Sequence, residues 1–179
     1  IDFIFNALRR GKDQAFLMTF DDGPQVIKEF TGDPGELRDT IMKQRAGGGS
    51  ALYDAVYEAS GILLNKSPLP PGPNPDVRRV LVVISDGDDN SSNRSRGGAV
   101  EMAQRAGVII YAISTSTDWV SINEERDPSK RINRKYAKGE GDRVLDQLAA
   151  ETGGRAFFPY RVDDLGQSFL DIGDELRHQ

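Results

Sequence analysis

The sequence predicts an α/β fold, a doubly wound and mostly parallel central sheet with helices on both faces and one antiparallel edge strand. Three observations predict it. Short apolar runs alternate with amphipathic stretches along the chain, as they do where crossover helices join parallel strands. Two of the runs, Val80–Ser85 (VLVVIS) and Val108–Ser114 (VIIYAIS), are apolar almost throughout, which marks strands buried on both faces. The 179 residues, with 37% hydrophobic and 28% charged side chains, suffice for one domain with its own core, taken as residues 1–179.

Ile1–Arg10 (IDFIFNALRR) reads as the end of an amphipathic helix stopped by Gly11. Ala15–Phe20 (AFLMTF) is a buried strand, and the turn Asp21–Pro24 returns it into Gln25–Phe30 (QVIKEF), an alternating strand paired as a hairpin. Asp33 caps a helix running to about Gln44, with Pro34 in its first position. Gly47–Gly49 interrupt the chain, and Ser50 opens a helix that reaches about Asn65. The proline-rich Ser67–Pro75 is a stiff surface loop. Val80–Ser85 is the most apolar strand and is therefore expected at the centre of the sheet. The polar loop Asp86–Arg96 leads to a helix ending near Ala106, and Val108–Ser114 is the next strand. Thr115–Gly141 is a long charged excursion carrying Trp119. Asp142–Glu151 is a helix closed by Gly153 and Gly154, Arg155–Phe158 a short strand, and Asp163–Arg177 a last helix.

Composition excludes several function classes. A formal charge of -5 argues against a nucleic-acid partner, which needs a concentrated basic face. The basic cluster Lys130, Arg131, Arg134, Lys135 and Lys138 reads as solvated loop surface. The absence of cysteine removes disulfides, thiolate nucleophiles and zinc–thiolate sites together. No stretch approaches the ~20 apolar residues that span a bilayer, so membrane insertion is not expected. No signal peptide is visible, and a chain opening at Ile1 without Met is expected to be cut from something longer.

Motifs that look catalytic fail on their partners. Thr19–Pro24 (TFDDGP) has the letters of a polysaccharide deacetylase metal motif, but the histidines that would join it are missing, since His178 is the only one. The same lone His178 rules out a Ser–His–Asp triad. Asp86–Asn90 (DGDDN) follows an apolar strand as a haloacid-dehalogenase-like nucleophile would. Asn90 stands where that motif needs Thr or Val, and Asp163–Asp164, the only later acidic pair, sits at a helix start. A calcium loop on Asp86, Asp88 and Asn90 lacks its bidentate acid, because the twelfth position is Gly97.

Two loops remain, both where open α/β sheets bind ligands, at the carboxyl ends of strands. Gly47–Val56 (GGGSALYDAV) sets the Ser50 hydroxyl at a helix N-terminus. Capping alone would explain Ser50, whereas three consecutive glycines imply a close backbone approach to something. Val82–Asn90 (VVISDGDDN) sets the Asp86 carboxylate at a strand tip, where the plain alternative is a solvated acidic turn.

In this order and spacing, AFLMTF, GGGSALYDAV, VLVVISDGDDN, AGVIIYAIS, LAAETGGRAFFP and a terminal DELR resemble the von Willebrand factor A-type domain, above all its bacterial members and an acidobacterial group among them. The resemblance covers nearly the whole chain and implies a Rossmann-like sheet. It also implies a metal-ion-dependent adhesion site, in which oxygen ligands from three loops hold a divalent cation and a partner carboxylate completes the shell. The cation would be Mg²⁺, with Mn²⁺ or Ca²⁺ as substitutes, all hard ions suited to oxygen donors. Carried onto this chain, the second-loop ligand falls on Ser50 and the third on Asp86. Gly48, Gly49, Gly87 and Asp88 line the rim.

The first loop, an Asp-x-Ser-x-Ser, is absent, and with it the strand that the family places between AFLMTF and VLVVIS. About 25–35 further upstream residues are therefore expected, at usual strand and helix lengths; a segment from another chain or from later in this one is the alternative. The implied function is non-enzymatic, cation-dependent binding of a protein or extracellular ligand that offers a carboxylate, in a secreted, periplasmic or cell-surface setting. A metal-independent interaction domain is the rival reading, and a haloacid-dehalogenase-like phosphatase a distant one.

Overall fold

The computed structural model of the chain describes residues 8–9, 11–45, 47–68, 77–116, 138–159 and 162–178. Among them the order is β1 (Ala15–Phe20), β2 (Pro24–Thr31), α1 (Pro34–Ile41), α2 (Leu52–Lys66), β3 (Arg79–Ser85), α3 (Arg96–Ala106), β4 (Val108–Ser114), α4 (Glu140–Ala150), β5 (Ala156–Phe157) and α5 (Val162–His178).

β4 is the axis of the molecule. It lies between β3 and β5 in a parallel sheet, in register from Arg79 opposite Val108 to Ser85 opposite Ser114. Successive side chains of a strand point to opposite faces, so β4 needs cover on both. Val108, Ile110 and Ala112 pack with Leu52 and Val56 of α2, Val100 and Ala103 of α3, and Leu145 and Leu148 of α4. Tyr111 and Ile113 pack on the other face with Ile172 of α5. The α/β class and the helices on both faces thus stand as the sequence predicts.

Local sequence explains the joints. Asp33 accepts from the Gly35 amide, with Pro34 in the first turn of α1, and Ser95 accepts from the Gly98 amide at the start of α3. Gly107 ends α3 at φ 63°, a left-handed backbone that costs glycine nothing, and the chain enters β4 one residue later. Small residues of α3 (Ala99, Ala103 and Ala106, all buried) let it lie close to α2.

Four expectations need correction. The most apolar strand is not the middle one: among the described residues β3 pairs only with β4, and Ile84 is 48% exposed. The hairpin β1–β2 forms as predicted, with β2 one residue longer at each end, but as a sheet of its own with no ladder to β3. Helix α2 bridges the two sheets, touching β1, β2 and β3. The last strand shrinks to Ala156–Phe157, and α1 ends at Ile41 rather than near Gln44.

Of the Ile1–Arg10 helix end only Leu8 and Arg9 are described, and of Ser67–Pro75 only Ser67 and Pro68. Of Thr115–Gly141, only Thr115, Ser116 and 138–141 are described; Trp119, Lys130, Arg131, Arg134 and Lys135 lie outside the described residues. No helix among the described residues is long and apolar enough to cross a membrane.

The two-faced burial of β4 makes a direct prediction. Ile110→Ala, at a fully buried position, should cost about 2–5 kcal/mol through lost transfer energy and a cavity. Ile84→Ala on the open strand should cost under about 1 kcal/mol. Urea denaturation midpoints of the two variants decide it.

Candidate functional site

Three loops meet beyond the carboxyl ends of β1 and β3. The first is the turn Asp21–Gly23 after β1, the second Gly47–Ser50 before α2, and the third Asp86–Ser95 after β3. The main chain of the second loop is held on both sides. The Gly49 amide donates to Asp22 Oδ1 at 3.1 Å and the Ser50 amide to Asn90 Oδ1 at 2.8 Å. In return the Ser50 carbonyl accepts from the Asn90 and Ser91 amides, at 3.0 and 3.1 Å. The Ala51 amide closes onto the Phe20 carbonyl at 3.0 Å, tying the loop to the end of β1.

This geometry accounts for the glycines. A Cβ on Gly48 would lie 2.9 Å from the Asp21 Cβ, and Gly48 has φ +85° besides. A Cβ on Gly49 would run into Ser91 Oγ and Asn90 Oδ1. The close approach that the glycine run implies is therefore to the neighbouring loops of the protein itself. Gly47 has open space around it and is not constrained in this way.

Ser50 does not cap the helix it precedes. α2 begins at Leu52, its N-cap is Ala51, and no side chain of its own bonds its first turn. The unpaired amides of a helix start need acceptors; here the third loop supplies them. The Tyr53 amide donates to Asp89 Oδ2 at 2.9 Å and the Asp54 amide to Ser92 Oγ at 3.0 Å. The Ser50 hydroxyl is left without a hydrogen bond among the described residues.

Asp86 is exposed at the end of β3. Its Oδ1 accepts from the Asp88 amide at 3.1 Å, and Asp88 is itself exposed. Gly87 is buried, with φ +86° and its amide donating to Ser85 Oγ at 3.0 Å. A Cβ there would collide with the Gly141 carbonyl, and one on Gly141 with the Asp86 carbonyl. The start of α4 is thus seated directly on the Asp86 loop. It is fixed by Asp142, 1% exposed, which accepts from the hydroxyls of Ser114 (2.6 Å), the last residue of β4, and Ser116 (3.2 Å) just after it.

The structure therefore brings Ser50 against the loop that carries Asp86, but the contacts run through Asn90 and Ser91. The donor types suit a hard cation, with a free hydroxyl on Ser50 and a carboxylate on Asp86. Two donors leave most of a shell to water and a partner, and among the described residues no group of three or more His, Cys, Asp or Glu could hold a metal ion. Reading the sequence alone missed Asp54, Asp89, Ser92 and Asp142. The acidic and hydroxyl run Asp88-Asp89-Asn90-Ser91-Ser92 was the available signal for two of them; nothing in the sequence ties Asp54 or Asp142 to their partners.

Asp54 accepts from the Asn93 amide (3.0 Å), the Asn93 side chain (3.3 Å) and the Arg94 amide (2.9 Å). The Asn93 amide bond is the main reason its carboxyl is held below the ordinary aspartate value; the Arg94 amide adds to the effect and burial opposes it. A carboxyl depressed in the folded state contributes stability that is fully present above its unfolded pKa of ~3.9 and is lost as pH falls through the folded value. The stability gap between the wild type and Asp54→Asn should accordingly be widest above about pH 5 and narrow below about pH 4 in urea titrations. Gly87→Ala should cost about 2–3 kcal/mol, combining a left-handed backbone with overpacking against Gly141, as thermal unfolding would report.

The comparisons with known proteins agree with this architecture. The family model of the von Willebrand factor type A domain matches residues 1–88. No curated protein matches the chain in sequence. Among solved structures, an aerotolerance-related membrane protein from Bacteroides fragilis superposes with a TM-score of 0.69 at 16% identity, covering 99% of this chain and 86% of that one. A von Willebrand factor type A protein from Catenulispora acidiphila gives a TM-score of 0.69 at 13% identity, over 97% of this chain and 36% of that one. Proximal thread matrix protein 1 of the mussel byssus, in a form with a zinc-occupied MIDAS motif, gives 0.66 at 18% identity, over 97% of this chain and 38% of that one. In sequence over residues 1–88, and in fold along nearly its whole length, the chain is thus similar to the von Willebrand factor type A domain.

Proposed function

We propose that the face formed by the Ser50 and Asp86 loops is a protein-binding surface that engages an acidic group of its partner through a divalent cation. The observation that carries this reading is the way the loops are finished. Their backbones are interlocked, yet among the described residues the Ser50 hydroxyl is left without a hydrogen bond and Asp86 stands exposed with one oxygen engaged by the Asp88 amide. Exposed Asp21, Asp22, Asp86 and Asp88 surround them, in a chain of net charge -5. A partner carboxylate would be repelled by such a rim, and a hard cation between them turns repulsion into shared coordination.

In this reading Ser50 and Asp86 hold the cation, while Gly48, Gly49, Gly87 and Asp88 shape the rim that the partner meets. The cation is Mg²⁺, with Mn²⁺ or Ca²⁺ able to replace it. The remaining oxygen donors are assigned to a loop on a strand seated between β1 and β3, each of which is paired on one side only among the described residues. The setting is secreted, periplasmic or at the cell surface, where a recognition domain meets extracellular ligands.

One observation favours the metal-free alternative, in which the same face binds its partner directly: the described residues contain no three-ligand group. Calorimetric titration of Mg²⁺ into the full-length protein separates the two. We expect saturable binding that Asp86→Ala weakens at least about tenfold, the loss of a charged ligand being worth about 1.4 kcal/mol or more. Binding unchanged by Asp86→Ala would sink the cation reading. Turnover of a simple phosphate ester abolished by that substitution would point to an enzyme instead.

A further inference from the structure

We infer that Asp54 is a positioning residue for the proposed partner face, fixing the Asp86–Asn90 loop relative to Ser50 before any ligand arrives; the inference rests on the Ser50/Asp86 reading. Asp54 sits in the first turn of α2 and is 8% exposed. A carboxylate so far from water must be matched by donors. Among the described residues every hydrogen bond to its side chain comes from the third loop: Oδ2 from the Asn93 amide and side chain, Oδ1 from the Arg94 amide. One turn further along α2, the Tyr57 ring takes the Arg94 guanidinium at 3.6 Å from its centroid.

Bonds also run the other way. The Asp54 amide donates to Ser92 Oγ, Ser92 Oγ donates to Asp89 Oδ2 at 2.6 Å, and the same Asp89 oxygen takes the Tyr53 amide. Helix and loop therefore cap each other, and the reciprocal pair lies next to the Asn90–Ser50 bonds that set the two donor loops side by side. The packing of α2 on the sheets does not use Asp54; it runs through Leu52, Val56 and Leu63 of the main core. Removing this carboxylate should free the loop while leaving the core in place. Hydroxyl or amide side chains could accept one of these amides, but only a carboxylate accepts on both oxygens without presenting a donor.

The test uses NMR on the intact chain, with Asp54→Asn as the main variant and Ser92→Ala as a second that leaves the carboxylate untouched. Amide hydrogen exchange at Asn90, Ser91 and Tyr53 should quicken about tenfold or more in Asp54→Asn, the loss of one charge-assisted bond. Ile110 and Ala112 of β4 should exchange as in the wild type. A merely structural role would speed both groups in step. Line broadening by added Mn²⁺ at the Ser50 and Gly87 amides should need severalfold more metal in either variant. Wild-type exchange at Asn90 and Ser91 in both variants would overturn the inference. Absence of Mn²⁺ broadening in the wild type would overturn the cation reading, while the exchange rates would still decide the role of Asp54.

Discussion

The arrangement of the face depends on how the first amides of α2 are satisfied. A helix start leaves amides that its own carbonyls cannot reach, and burying them unpaired would be costly. In this protein the preceding loop is glycine, glycine, glycine and a serine whose hydroxyl makes no bond to the helix, so local capping is unavailable. Phe20, Asp89 and Ser92 provide the acceptors instead. One requirement of helix chemistry thereby draws together the ends of β1, β3 and α2. The spatial relation between Ser50 and the Asp86 loop follows from capping at a distance, and not from any contact between the two side chains.

Capping at a distance also explains which residues must be small. Three loops packed this closely leave no room for Cβ atoms at Gly48 and Gly49, which would meet the side chains of Asp21, Asn90 and Ser91, and the seat of α4 on the third loop leaves none at Gly87 or Gly141. Beneath them β4 provides a rigid base because both its faces are filled, by α2, α3 and α4 on one side and α5 on the other. The buried Asp142, linking the start of α4 to Ser114 and Ser116, extends that rigidity to the side of the face opposite β1.

What was legible in the sequence follows from the range of the forces involved. Strand and helix identities are written in periodicity and in local caps such as Asp33, which is found where the sequence puts it. The position of VLVVIS is not local: its apolar character implied a central strand, yet centrality depends on what pairs with its far edge, which periodicity does not encode. Ser50 looked like a cap because Ser before a helix commonly is one. Its displacement by Asp89 and Ser92, some forty residues away, is a tertiary event with no local mark. The glycine run announced a close approach but not to what. Asp54 carries no local mark of its role, and its three loop donors appear only once the chain is folded.

The open edge of β3 bears on the chemistry of the face as well as on the sheet. Ile84 is 48% exposed one residue before the buried Ser85 and two before Asp86, and among the described residues the strand that presents the carboxylate is paired on one side only. A strand laid against that edge would cover Ile84 and carry its own C-terminal loop to the same end as Asp86, if it ran parallel to β3. It would add oxygen donors at the point where the described residues provide too few. Completion of the sheet and completion of the coordination shell would then be a single event. In that case cation affinity should track the stability of β3 more closely than that of β4, whose faces are already filled. This coupling is what distinguishes a cation site from a rim of exposed aspartates. Scattered surface acids would bind Mg²⁺ weakly and without regard to the sheet beneath, whereas a site built across the gap would gain its affinity only as that gap closes.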